Sequence, residues 1–193
     1  MEDANVWEMA ILFGVVLVGT LLPLFIWRRR VRLRWRRAAA GAGLPFTGDN
    51  CIQISVPGGK VVAGEAFRTV SASAGSDLAD QVVTSVLGIL DTEPPAAFVA
   101  STNGAPLGGP IFTTGDTEFD ATVVVGSKDL AEGQAYLTPR RRKALLTFFS
   151  TLPQGCLSAG RIGRVRDGRM YTGELTQTLL AVKQALEGLE RSS

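Results

Sequence analysis

Any catalysis by this chain would rest on carboxylates, two thiols and lysines, because its 193 residues include no histidine. That absence removes the commonest general base, the Ser-His and Cys-His nucleophile pairs, and most zinc and haem ligand sets. Two carboxylate pairs, Asp77 with Asp80 and Asp116 with Asp120, have a spacing that suits an acid and a base. Solvated acidic turns have the same sequence, however, and no oxyanion hole, metal set or nucleophile base accompanies either pair. Asp116, Glu118 and Asp120 begin like a calcium loop, but Ala121 stands where that loop needs glycine and Ser127 where it needs glutamate. Pro57-Gly58-Gly59-Lys60 fails as a phosphate loop, since Val61 follows the lysine and no second glycine is in place. Cys51 and Cys156 read as small hydrophobes, and no histidine stands near Cys156 to lower its pKa. The sequence therefore points away from an enzyme: no catalytic residue, no cofactor and no metal site is assigned.

The elements that would carry any other function begin with Met9 to Trp27, nineteen consecutive residues without a charge. As a helix this run would be about 28 Å long, the thickness of a bilayer's hydrocarbon core. Seven arginines follow between Arg28 and Arg37, whereas Glu2, Asp3 and Glu8 precede the run. The expectation is a single transmembrane helix with its N-terminus outside and the remainder in the cytoplasm of a bacterium, at the inner membrane. The positive charge follows the apolar run instead of preceding it, which argues against a cleaved signal peptide. Trp7, Trp27, Arg28, Arg29, Arg30, Arg32, Arg34 and Trp35 are then expected to face the membrane interface and its anionic lipids. Ala10, Gly14 and Gly19 form a face of small residues on which a partner helix could pack closely. This divides the chain into a short external N-terminus (1–8), a transmembrane helix (9–27), a basic juxtamembrane helix and linker (28–45) and a cytoplasmic domain (46–193).

Within that domain, CIQISV, PGG and KVVAGEAFRTVSAS read as a β-hairpin, VVTSVLGIL and AAFVAS as further strands, and roughly Phe119 to Val125 as a strand after an acidic turn. KDLAEGQAYL reads as a short helix or turn, and Thr138-Pro139 as the N-cap and first residue of a helix ending before Pro153. CLSAGRIGRVRDGRMYTG reads as short strands with a hairpin turn at Asp167-Gly168. Leu175, Leu179, Val182, Leu186 and Leu189 mark an amphipathic closing helix. The fold class is α+β: an antiparallel sheet with two or three helices towards the C-terminus, behind the N-terminal transmembrane helix.

Charge is unevenly placed. The net +2 of the whole chain hides a domain that is slightly acidic once the arginine block is set aside, so the basic pI does not argue for nucleic acid. Arg140, Arg141, Arg142, Arg161, Arg164 and Arg166 are a candidate basic patch for a partner. The cations at Arg140 to Lys143 crowd the first turn of their helix, the unfavourable end of its dipole, which hints that an anionic group lies opposite.

WRRAAAGAGL, TGDTEFDATVVVGS, LTPRRRKALLTF and the leucine-spaced closing helix resemble a domain found just inside the membrane anchors of many uncharacterised bacterial proteins. The resemblance runs from Trp35 to Glu190 and implies an α+β fold without any functional residue. The overall layout is similar to that of the H subunit of photosynthetic reaction centres, without a match in sequence. Together these features lead to the expectation of a non-enzymatic accessory subunit of a larger membrane protein complex. Its partners would be integral membrane subunits and anionic lipids, and not nucleic acid. The alternative is a membrane-surface binding or signalling module.

Overall fold

The computed structural model describes residues 3–46, 51–70, 79–102 and 109–190, with side chains omitted at 3–18, 69–70 and 79–80. It opens with one long helix, α1 (Asp3–Gly41). A glycine-dependent cap ends that helix: Gly43 at φ +63 donates to the Ala40 carbonyl (3.1 Å), and Leu44 donates to Ala39 (2.8 Å). These paired bonds make a Schellman motif, whose left-handed residue is easiest for glycine. Leu44 is buried beside it.

The strands are β1 (Cys51–Val56), β2 (Gly59–Val70), β3 (Ala79–Leu90), β4 (Val99–Ser101), β5 (Ile111–Phe112), β6 (Val124–Gly126), β7 (Cys156–Ser158) and β8 (Arg161–Asp167). The remaining helices are α2 (Thr117–Thr122), α3 (Leu130–Tyr136), α4 (Pro139–Thr151) and α5 (Thr172–Glu190). The strands form one eight-stranded sheet in the order β1-β2-β3-β8-β7-β4-β6-β5, and every strand pairing in it is antiparallel. Pro57 and Gly58 (φ +87) turn β1 into β2, proline and glycine being the residues a type II turn favours. A Cβ on Gly58 would lie 2.2 Å from the Leu186 carbonyl oxygen, so the turn sits against α5 and only glycine fits.

Helix α5 lies at the centre of one face of the sheet, touching β1, β2, β3 and β8, with α1 and α4 on its flanks. Its Leu175, Leu179, Val182, Leu186 and Leu189 are all buried, facing sheet residues such as Val61, Ala63, Val86 and Ile162. At about 1.5–3 kcal/mol for each large aliphatic chain, this layer is the main source of apolar stabilisation.

Three sequence expectations are corrected. Among the described residues no helix is long and apolar enough to cross a membrane, which overturns the transmembrane, single-pass element of the expected fold. The reason lies in the described part of α1, 19–41. Seven arginines interrupt it from Arg28 onward, and Val31, Trp35, Ala38 and Ala39 are buried in the same core cluster as α5. The expected strand from Phe119 to Val125 is mostly helix α2, because Asp116 caps it by accepting from the Phe119 amide at 3.2 Å; β6 starts only at Val124. The hairpin turn expected at Asp167-Gly168 lies instead at Ala159-Gly160, both at positive φ (48° and 69°), the signature of a type I′ loop. Gly168 merely ends β8, where its amide donates to the Val82 carbonyl and its own carbonyl accepts from Thr84 Oγ1.

Candidate docking site

Helix α1 is attached by a stripe. Val31, Trp35, Ala38, Ala39 and Ala42 recur at helical spacing, and all are buried. Small alanines let α1 approach α5 closely, and a Cβ on Gly41 would come within 2.8 Å of Thr176 Cγ2. Arg34 extends from the same side to pair with Glu65 on β2, their side chains 17% and 10% exposed. Further back, Trp27 lies 6.5 Å, centroid to centroid, from Phe67 of β2, and the Arg169 guanidinium stands 5.4 Å from the Trp27 ring.

These contacts revise the expected lipid-facing set. Trp35 has no exposed surface, Arg34 is held by Glu65, and Trp27 is partly covered by Phe67 and Arg169. Facing the domain takes precedence for them because the stripe is set by the 3.6-residue period. Arg28, Arg29, Arg30 and Arg32 do remain exposed. Trp7, Ala10 and Gly14 fall outside the described side chains, and Gly19 is exposed with open space around it.

From Leu21 to Ile26 the helix is apolar and exposed. Leu21, Leu22, Leu24, Phe25 and Ile26 are 53%, 53%, 56%, 66% and 42% exposed, and at 3.6 residues per turn they and Pro23 spread around most of the axis. A soluble surface rarely leaves so many large apolar side chains together, and a helix apolar all round belongs inside an apolar environment.

The six candidate arginines do not form one patch. Arg141 stacks over Tyr136 at 4.3 Å and donates to the carbonyls of Leu189 (3.3 Å) and Tyr136 (3.1 Å), so it closes the C-terminal ends of α5 and α3. Arg142 pairs with Asp116 at 3.1 Å and donates to the Leu137 carbonyl at 3.2 Å. The anionic group sought opposite the first turn of α4 is therefore an acidic side chain and helix-end carbonyls of the same chain. Arg164 (3.0 Å) and Arg166 both pair with Glu174 of α5. Strand alternation separates them from Arg161, which stands exposed on the opposite face of β8. Arg140 is exposed at the start of α4.

Groups considered for chemistry are committed to structure. Asp120 accepts from the Thr114 amide and hydroxyl and from the Gly115 amide (2.8–3.1 Å), fixing the loop before α2, while Asp116 caps α2 and binds Arg142. Asp77 and the Asp80 side chain lie outside the described residues. Cys156 reaches the surface, yet burial of its thiol pushes the pKa up, away from the reactive thiolate. Burial likewise raises the Tyr136 phenol, with Arg141 partly offsetting it. Among the described residues no three His, Cys, Asp or Glu side chains group closely enough to hold a metal ion. No protein-family model, no curated protein and no solved structure matches the chain.

Proposed function

We propose that this protein is a non-enzymatic accessory subunit of a larger membrane protein complex, docked through the uncovered part of α1. The observation that carries this reading is the sleeve from Leu21 to Ile26, apolar on every side and joined without a break to a segment held in the core of the domain. A partner gripping that sleeve holds the whole α+β domain in a defined orientation, because Trp35 and the Arg34–Glu65 pair leave α1 no independent swing. The exposed Arg28, Arg29 and Arg30 suit acidic partner loops or lipid phosphates beside it.

The test is gentle detergent extraction of the full chain from its own cells, followed by sizing and identification of what stays bound. A stoichiometric complex is expected, and Leu24→Glu with Phe25→Glu should release the protein from it. Recovery of the full chain as a lone monomer, or retention of every partner by that double variant, would sink the proposal. The exposed arginines also favour a second reading, a membrane-surface module. In that case the chain would bind vesicles rich in anionic lipid unaided, with affinity falling steeply as salt rises.

A further inference from the structure

The helices cover one face of the sheet, and on the other face β3 breaks the usual pattern. An antiparallel sheet with one solvated face alternates apolar and polar side chains along each strand. In β3 the helix-facing residues Thr84, Val86 and Gly88 are all buried, while Gln81, Val83, Ser85, Leu87 and Ile89 point the opposite way, polar in part but apolar at the Leu87–Ile89 end. At that end the outward side chains are large and apolar where a solvated face would carry polar ones.

The registers place neighbours around that strand. Val62 of β2 lies beside Leu87, and Gly163 of β8 lies on its other side, followed by Cys156. In the next row, Ile89 is flanked by Lys60 on β2 and by Arg161 on β8. Val165 completes the apolar centre, and Ile89 and Val165 are 40% and 59% exposed. Gly163 contributes no side chain, which leaves a shallow depression of about 330 Å³ bordered by Leu87, Cys156, Arg161 and Val165.

Charge indicates what fits there. Among the described residues, the charged side chains that face outward on β2, β3 and β8 themselves are Lys60, Arg68, Arg161 and Asp167, three cations against one anion. Among the described residues Lys60, Arg68 and Arg161 make no ion pair, in contrast to Arg164 and Arg166 on the covered face. Lys60 and Arg161 stand two strands apart, roughly 10 Å, with Ile89 between them. A second copy of this face would bring cations against cations. The centre is aliphatic and offers none of the aromatic rings on which single-stranded nucleic acid stacks.

We infer that the face of β2, β3 and β8 turned away from the described helices is a second docking surface, for an acidic protein segment. An apolar side chain of that segment sits in the depression over Gly163, and its carboxylates reach Lys60 and Arg161. This surface is independent of the α1 sleeve, so either can fail without the other.

The test uses the full chain in mild detergent and a fluorescent twelve-residue peptide alternating glutamate with valine and leucine, alongside the same peptide with lysine for glutamate. Anisotropy should rise with the acidic peptide only. Lys60→Glu with Arg161→Glu should weaken its binding about tenfold or more, as expected for two lost charge contacts, while Val165→Ser should weaken it by a smaller factor. Lys143→Glu, on α4, should leave it unchanged. Equal binding of the lysine peptide, or insensitivity to the double reversal, would overturn the inference. So would tighter binding of a polyphosphate or oligonucleotide probe, or self-association of the chain that the Val165 variant abolishes.

Discussion

The two halves of the described part of α1 reverse what composition suggests. From Leu21 to Ile26 the helix is apolar, and it is exposed; from Arg28 to Ala42 it is rich in arginine, and it is anchored in the core. The difference shows that mean hydropathy does not decide burial. The second half has a single apolar stripe that matches a groove beside α5, and its arginines project on the other sides or, like Arg34, find a carboxylate. The first half has no stripe because Leu21 to Ile26 are all apolar, and their large side chains stay exposed. One half is thus a structural joint and the other an exposed apolar surface.

The sharpest way to break that comparison is Trp35→Ala. Emptying a fully enclosed aromatic site should cost about 3–5 kcal/mol and lower the thermal midpoint of the whole domain. An unchanged melting curve would show that α1 is not part of the core. Arg34→Ala should cost less, about 1–3 kcal/mol, because it leaves the nearly buried Glu65 without its partner while some solvent still reaches the pair. Glu65→Gln should be milder, and the double substitution should cost less than the two single losses added together, which a double-mutant cycle in urea would measure. The smallest stability effect belongs to the other half: Leu24→Ser with Phe25→Ser should change the unfolding free energy by no more than about 0.5 kcal/mol. The same pair should sharply reduce association with a partner. If it instead unfolds the domain, the apolar sleeve folds back on the protein and the contrast between the halves disappears.

The same contrast between stripe and composition separates the elements that local sequence reveals from those it does not. Thr138 and Pro139 announced α4, and Thr138 does cap it, its hydroxyl accepting from the Arg141 amide at 3.4 Å. The leucine spacing of α5 and the Pro57-Gly58 turn were equally readable, because each depends on residues within a few positions of one another. Asp116 misled for a related reason: a cap needs only one favourable residue, and a six-residue helix has too little periodicity to show itself.

The candidate site was less legible. Arg140 to Arg166 look alike in sequence, yet Arg141 closes two helices, Arg142 binds Asp116, Arg164 and Arg166 share Glu174, and Arg161 alone of the three on β8 faces away from the helices. Strand alternation predicts that Arg161 differs from Arg164 and Arg166, but only the position of α5 says which face is covered.

By itself, then, the sequence determined the absence of histidine chemistry, the capped helices, the main hairpin and the contrast between the apolar run and the arginine block. These are matters of residue type and short spacing, governed by local backbone and hydrogen-bond energetics. Tertiary structure alone decided that Trp35 is enclosed, that Arg34 meets Glu65 across 31 positions of sequence, and that Leu87 and Ile89 of β3 point away from the helices. Such outcomes depend on which distant segments pack together, and the free energy that selects them is spread over the whole core.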